Sequence, residues 1–146
     1  IAAYRATGAA LTVPYFCTLL AEVSAHLGHT EGGLQALDEA QTLVEQHDER
    51  GWEAEVHRLR GVLLLRQTGT SQAEAEAWLQ QALDVARRQQ AKSLELRAAM
   101  SLSRLWQRQG KRAEAYELLA PIYGWFTEGF DTHDLKQARA LLEELA

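Results

Sequence analysis

Apolar residues recur along the chain at the three- and four-residue spacing of amphipathic α-helices. Short glycine-containing stretches interrupt this pattern, as is typical of turns. Only two prolines occur in 146 residues, so long helices are permitted, and Pro14 fits the first turn of a helix, where its missing N–H costs little. The pattern predicts an all-α fold with helices over residues 14–27, 31–46, 50–67, 72–89, 92–109, 111–127 and 132–145.

Three stretches of the chain align as helix–turn–helix units, over residues 19–40, 59–82 and 101–122. Each turn contains a glycine, and Gly28, Gly69 and Gly110 step by 69 − 28 = 41 and 110 − 69 = 41 residues. A small residue stands in each helix of a unit, and we expect it to let the paired helices approach closely. In the first helices these residues are Ala21, Gly61 and Ser103, and in the second helices Gly33, Ala75 and Ala115.

The repeat predicts how the chain is organised. An isolated helix pair has an apolar face that it cannot cover alone, and stacking of neighbouring pairs buries that face. We therefore expect one helical-repeat domain over residues 1–146, cut from a longer protein. Its parts are the tail of a preceding unit at 1–8, repeat one at 14–47, repeat two at 50–89, repeat three at 92–128 and a capping helix at 131–146.

The segment APIYGWFTEGFDTHDL gathers four aromatic residues near the end of the chain. They could line a ligand pocket, or they could close the stack of helices. Local chemistry favours closure, because Gly129 can take the left-handed conformation that ends a helix. Asp131 can then cap the next helix, with Asp134 completing an approximate capping box. Phe130 and Leu135 match a hydrophobic staple around that cap.

The same segment predicts what lies under the final helix. Tyr123, Trp125 and Phe126 are expected on the last long helix, packed under the cap, with Phe130 as a buried plug. One face of the final helix carries Leu135, Ala138, Leu141, Leu142 and Leu145. A terminal cap of this kind keeps the end of a helical stack soluble.

The helix pairs with their turn glycines and small residues resemble the tetratricopeptide repeat, a helix–turn–helix unit of roughly 34 residues. The resemblance implies a right-handed α-solenoid of tetratricopeptide-like pairs with a C-terminal capping helix. The period of about 41 residues is longer than usual because the surplus lies between units. The large aromatic residue usual at the start of the first helix is missing in units one and three.

Residues 89–145 sharpen the resemblance, supported by VHRLRGVLLL at 56–65 and AYRATGAALTVPYF at 3–16. They look like the C-terminal repeat region of bacterial multidomain signalling proteins. In those proteins an adenylate/guanylate cyclase or another output domain is fused to a predicted signal-transduction ATPase. The resemblance implies a signalling role, with the cyclase and ATPase chemistry in other parts of the parent protein. His133 departs from the pattern, which has proline at that place.

Composition narrows the possible functions. The chain is 47% hydrophobic and 24% charged, as is ordinary for a soluble folded protein. Its net charge of −5 and pI near 5.5 argue against a nucleic-acid-binding module. The longest apolar run, GVLLL, is too short to cross a bilayer, so no membrane association is expected. Cys17 is the only cysteine, which fits a reducing, cytoplasmic compartment.

No motif for catalysis stands out. The chain lacks a Gly-Lys-Ser/Thr phosphate loop and a G-x-G-x-x-G turn. His26 and His29 flank a turn glycine, but no cysteine or acid completes a metal set, so we interpret them as solvated turn residues. His57 is interpreted as a polar edge residue and Cys17 as a small buried hydrophobe. We therefore expect no catalytic residue, no metal and no cofactor.

In stacks of the tetratricopeptide type, the first helix of each pair lines the inner, concave surface. Mapping the repeat onto that surface gives six candidate partner-binding residues: Arg58, Arg66, Arg97, Met100, Arg104 and Arg108. The same side carries Val62, Leu65 and Gln107, and in unit one Tyr15, Thr18, Glu22, Ala25 and His26. Arginine forks suit carboxylates, so this wall could bind an acidic segment of a partner or of the parent protein. The alternative is a solvated helix face whose arginines pair with glutamates such as Glu55 or Glu95.

Three functions stay open at this level. The first is a protein–protein interaction module that regulates an ATPase or cyclase in a signalling protein. The second is a structural spacer or self-association element, and the third is a small-molecule sensor with a pocket between helices.

Overall fold

The computed structural model describes residues 12–48 and 50–146, and within these ranges the chain forms seven α-helices and no strand. The helices are α1 (Val13–Leu27), α2 (Thr30–His47), α3 (Glu53–Leu64), α4 (Gln72–Arg88), α5 (Lys92–Arg108), α6 (Arg112–Gly124) and α7 (His133–Leu145). The all-α fold predicted from the periodicity is confirmed. The predicted tail of a preceding unit at 1–8 lies outside the described residues.

Five of the seven helices match the predicted bounds to within one residue at each end, and α3 and α6 are shorter. The first residues predicted for α3 form a 3₁₀ turn, Arg50–Trp52. The predicted end of α3 is replaced by a tight turn in which the Arg66 amide donates to the Leu63 carbonyl at 3.0 Å. α6 stops three residues early, where the Trp125 amide donates to the Ile122 carbonyl at 3.3 Å. Bonds of this i to i+3 type close the last turn and stop the α-helix.

The turn glycines are placed as the repeat predicts. Gly28, Gly69 and Gly110 have φ angles of 75°, 88° and 81°, in the left-handed region that disfavours residues with a Cβ atom. Each one lies between the two helices of a pair. The period of 41 residues therefore corresponds to a repeated backbone conformation at the turns.

Packing between the helices follows a simple order. Each helix packs against the next one in the chain, and α1, α3, α5 and α7 also contact one another in that order. The odd-numbered helices thus form one layer, with the even-numbered helices packed beside it. Because the connections are short, neighbouring helices run antiparallel and all odd-numbered helices point the same way. The largest fully buried side chains are Leu37, Leu59, Leu63, Leu79, Leu83, Leu96, Leu102, Leu105, Leu119, Val44, Val56 and Val85.

Small residues set the close approach of the helices, as expected. A Cβ atom added at Gly61 would lie 2.8 Å from Cγ of Leu79 and 3.0 Å from the carbonyl oxygen of Ala75, both on α4. Ser103 is fully buried, and its hydroxyl donates a 3.1 Å hydrogen bond to the Ala115 carbonyl on α6. These contacts leave no room for larger side chains at the crossing points.

The capping helix forms, but its predicted N-terminal cap is wrong. Asp131 is exposed and precedes the cap position, which Thr132 occupies in extended conformation without a side-chain capping bond. The Thr132 hydroxyl instead donates to the Gly129 carbonyl at 2.6 Å. The capping box with Asp134 therefore does not form, and Phe130 stands one position too early for a staple around Thr132. Gly129 has the expected positive φ of 77°, within the loop between α6 and α7 rather than at a helix end.

The prediction that Phe130 is a buried aromatic plug is also wrong. Phe130 is 47% exposed, and its ring lies 5.9 Å from that of Tyr123. Trp125 is 58% exposed, beyond the end of α6, with the Lys92 ammonium 5.5 Å from its ring. Tyr123 and Phe126 are the members of the set that pack partly against the core, as predicted. Closure comes instead from the apolar face of α7, where Leu135, Ala138, Leu141 and Leu145 are buried as predicted.

Candidate functional site

A groove with a cavity of about 350 Å³ lies in the layer formed by α1, α3, α5 and α7. All six residues selected from the repeat line it, namely Arg58, Arg66, Arg97, Met100, Arg104 and Arg108. The other lining residues are Glu22, Ala25, His26, Leu59, Val62, Leu65, Ser101, Leu105, His133, Asp134 and Gln137. The structure thus brings the six side chains that the sequence placed on one wall together with residues of α1 and α7.

Helical spacing explains how α5 supplies much of this wall. Arg97, Met100, Arg104 and Arg108 follow one another at steps of three or four residues, which keeps them on one face of the helix. From Arg97 to Arg108 the helix rises about 16 Å. The arginines are therefore distributed along the groove rather than clustered at one point.

Arg58 lies at the start of the groove and is almost fully buried. Its guanidinium forms a two-pronged pair with Glu55, with Nε 2.9 Å from Oε2 and Nη2 2.7 Å from Oε1. Nη1 also donates to the Ser101 hydroxyl on α5 at 3.3 Å. Burial works against the charge on Glu55, but the hydrogen bond and charge of Arg58, with Arg97, lower the pKa of that carboxyl.

Arg97 extends this pairing to the other helices of the layer. Its Nη1 lies 2.8 Å from Oε1 of Glu55, and its Nη2 lies 3.1 Å from Oε1 of Glu22 on α1. Its Nε is 3.8 Å from Oδ2 of Asp134 on α7. We call Glu22, Glu55, Arg58, Arg97 and Asp134 the ion network. It links α1, α3, α5 and α7 and neutralises the two arginines within it.

The other arginines of the groove are placed differently. Arg104 is half-buried, and no carboxylate of the described residues lies within ion-pair distance of Arg104 or Arg108. Burial, and then the positive charge of Arg58, lower the pKa of Arg104. Arg66 donates to the Ala25 carbonyl at the end of α1, so it caps that helix. We call Arg104 and Arg108 the basic end of the groove.

Apolar side chains form the floor between these charges. Leu59, Met100 and Leu105 are each at most 4% exposed, and Val62 and Leu65 pack partly against the core. A floor of this kind with a few charged groups at its margins is typical of a binding cleft. The cavity volume of the groove, about 350 Å³, is at the lower end of the range for small-ligand sites, about 300–1,000 Å³.

The sequence missed what α7 contributes to the groove. His133, Asp134 and Gln137 line it, although the local pattern assigned Asp134 to a capping box. Tyr15 and Thr18 do not line it: the Tyr15 ring lies 4.9 Å from that of Trp52, and the Thr18 hydroxyl bonds to the Tyr15 carbonyl. Gln107 does not line the groove either, and its side chain donates to Glu144 of α7. Only the packing of the helices shows where these three side chains lie.

His57 also departs from its predicted place. It is 2% exposed, not at a polar edge, and its ring lies 5.2 Å from that of Trp78. Neither ring nitrogen has a hydrogen-bond partner among the described residues, and the nearest carboxylate oxygen, on Glu53, is 3.7 Å away. Burial is the main reason that the pKa of His57 is lowered. The residue lies outside the groove.

Within residues 12–48 and 50–146, no three His, Cys, Asp or Glu side chains form a group that could hold a metal ion. None of the helices described is both long and apolar enough to cross a membrane. Comparison with protein-family models, curated proteins and solved structures found no match to this chain. The geometry of the groove therefore carries the functional argument.

Proposed function

We propose that this chain is a non-catalytic protein–protein interaction module whose groove binds an acidic segment of a partner or of the parent protein. One observation carries the proposal. Arg104 and Arg108 stand in the groove without a carboxylate partner among the described residues, whereas Arg58 and Arg97 are neutralised by the ion network. Glu144 and Asp134 act on Arg104 only from beyond ion-pair distance, so a carboxylate from another segment would supply the direct contact that these two do not make.

The alternative of a solvated arginine face explains only part of the groove. The glutamate pairing that it assumes applies to Arg58 and Arg97, since Glu55 pairs with both, but Arg58 is buried rather than solvated. The other glutamate expected to take part, Glu95, bonds to Arg87 and Lys92 outside the groove. Pairing within the fold therefore leaves the basic end open to a ligand.

The finer architecture belongs to the same proposal. The repeated glycine turns and the layer of odd-numbered helices support a stack of tetratricopeptide-like pairs closed by α7, and its right-handedness is what the sequence resemblance implies. On the sequence resemblance, the module belongs to a cytoplasmic bacterial signalling protein and regulates its ATPase or cyclase. Such stacks offer extended concave surfaces for binding.

The proposal is tested by charge reversal at the basic end. A fluorescent peptide of about ten residues, with leucines and four glutamates, is titrated with the full chain and followed by fluorescence anisotropy. We expect Arg104→Glu with Arg108→Glu to weaken binding at least tenfold, or about 1.4 kcal/mol. A peptide with glutamine in place of glutamate is expected to bind as weakly to the unchanged protein.

The matched control is Lys136→Glu with Arg139→Glu, on the outer face of α7. Both side chains are exposed and outside the groove, and the double change alters the net charge by the same amount. It separates contact in the groove from long-range attraction, which salt screens. Equal weakening by the control and the groove variant, or no weakening by either, would refute the proposal. Arg97 is a poor choice for reversal because it would break the ion network.

A further inference from the structure

The outer face of α1 is the most apolar exposed helix surface among the described residues. Leu19, Leu20, Val23 and Leu27 are 39%, 45%, 52% and 65% exposed. Their spacing puts them on one side of the helix. Contiguous apolar surface of this kind marks an interaction site more often than single exposed residues do.

The repeat shows that these positions are buried elsewhere in the chain. Ala21 is equivalent to Gly61 of α3 and to Ser103 of α5. Two residues further on stand Val23, Leu63 and Leu105, which are 52%, 0% and 1% exposed. The position two residues after the small residue therefore holds a large apolar side chain in all three helices. Of the three side chains, only Val23 on α1 is exposed.

The position two residues before the small residue behaves in the same way. Leu19 is 39% exposed, whereas its equivalents Leu59 and Ser101 are 2% and 6% exposed. Leu19 and Val23 of α1 are thus at positions that are buried in both α3 and α5.

The helix that precedes α3 shows what such a cover looks like. Leu63 lies against Gly33 of α2, so closely that a Cβ atom added at Gly33 would be 2.8 Å from Leu63 Cδ1. Leu59 and Leu63 share one buried cluster with Ala36, Leu37 and Ala40 of α2. In the next unit, Leu102 and Leu105 of α5 share a cluster with Leu79, Ala82 and Leu83 of α4.

We infer that the outer face of α1 docks an amphipathic helix with the chemistry of α2 and α4. That helix presents glycine or alanine where Val23 makes contact, and leucines on either side. Continuity with the α2–α3 and α4–α5 interfaces identifies this occupant. A second copy of the α1 face lacks the small residues by which α2 and α4 approach their partners, so it does not continue those interfaces and is an outcome of the test below. The inference is independent of what the groove binds.

The test adds a helix of this kind to the full chain. A copy of residues 71–91, which includes the serine that caps α4, is fused ahead of residue 1 through a flexible glycine–serine linker. Val23→Cys reports cover of the α1 face through its rate of reaction with a maleimide. Cys17 is buried, so its labelling reports global unfolding in the same sample. We expect the fused helix to slow labelling at residue 23 at least tenfold and to raise the Tm.

The control fusion carries Ala75→Glu and Ala82→Glu in the copied segment only. It keeps the length of the helix and replaces its small contact residues with charged ones, so labelling is expected to stay fast. Equal rates with both fusions would overturn the inference. A second overturning result would be a dimer of the unfused chain by light scattering, with residue 23 reacting only after dilution. A second copy of the chain would then be the occupant.

Discussion

His57 is a single residue whose surroundings decide its chemistry. It lies on α3 with Glu53 on one side, the ring of Trp78 on another, and the cations Arg60 and Arg88 near enough to oppose its charge. Burial is nevertheless the largest effect on its pKa, which it lowers. The folded protein therefore holds this imidazole in its neutral form.

The consequence is a loss of stability in mild acid. Because the pKa of His57 is lowered in the folded protein, the unfolded chain binds the proton more readily. The stability that the neutral imidazole contributes is fully present above the unfolded pKa of about 6.5. It is lost as the pH falls through the folded-state pKa. The loss is about 1.4 kcal/mol for each unit by which the pKa is lowered. Urea unfolding between pH 7.5 and 5 is expected to show this slope, and His57→Leu to flatten it.

A control for this effect is His26→Gln, because His26 is exposed. That variant is expected to keep the slope of the unchanged protein. A slope that survives in His57→Leu would show that other groups cause the acid sensitivity.

Individual arginines of the groove show a limit of sequence reasoning at this scale. The repeat placed Arg97 and Arg104 on the same wall, and the structure agrees. The sequence repeat gave no means to tell that Arg97 has carboxylate partners and that Arg104 has none among the described residues. The partners of Arg97 are Glu22, which is 75 residues away in the chain, and residues of two further helices. Ion pairs of that kind depend on tertiary distances that no local pattern contains.

Pairs of helices are held together at positions that exclude larger side chains. Gly61 on α3 is such a position, since its added Cβ would meet Leu79 and the backbone of Ala75 at 3.0 Å or less. Gly32 on α2 has no atom within 4 Å of the same added group. The two glycines are therefore a matched pair, both inside helices but with opposite surroundings.

We expect Gly61→Ala to lower the free energy of unfolding by about 1–3 kcal/mol through overpacking. Gly32→Ala is expected to raise it by about 0.5–1 kcal/mol, because alanine restricts the unfolded chain and favours the helix. Chemical denaturation of both variants beside the unchanged protein measures the difference. Stabilisation by both substitutions would mean that α3 and α4 can separate at no cost.

Helix bounds show which elements a sequence specifies well. The starts and ends of α1, α2, α4, α5 and α7 follow from periodicity and turn glycines. The cap of α7 does not, because Asp131 and Thr132 both offer a capping oxygen and the loop conformation chooses between them. The early end of α6 likewise depends on how residues 125–132 return to the stack.

In the whole molecule, α7 closes the end of the stack by its apolar face. Leu135 is 4% exposed in the core cluster that runs from α4 to α7, whereas Phe130 in the preceding loop is 47% exposed. Closure therefore depends on leucines of the last helix and not on the aromatic segment before it.

This difference gives a direct comparison of two truncations. Leu135→Ala is expected to cost about 2–5 kcal/mol, as for other buried leucines. Phe130→Ala is expected to cost about 1 kcal/mol, the usual value for a point substitution without a severe packing defect. Thermal unfolding of both variants measures the order. A larger loss for Phe130→Ala would restore the aromatic plug.

The sequence by itself determined the all-α class, the helix pairs, the turn glycines and the arginine-bearing wall. These depend on periodicity and on backbone preferences that act within a few residues. Only the tertiary structure decided that Asp134 reaches the groove and that α1 keeps an apolar face uncovered. It also decided which arginines have partners. Arg58 and Arg97 are neutralised, whereas Arg104 and Arg108 are left without a carboxylate partner among the described residues. The reason is physical: pairing and burial depend on distances between helices, which are set by packing across the whole stack.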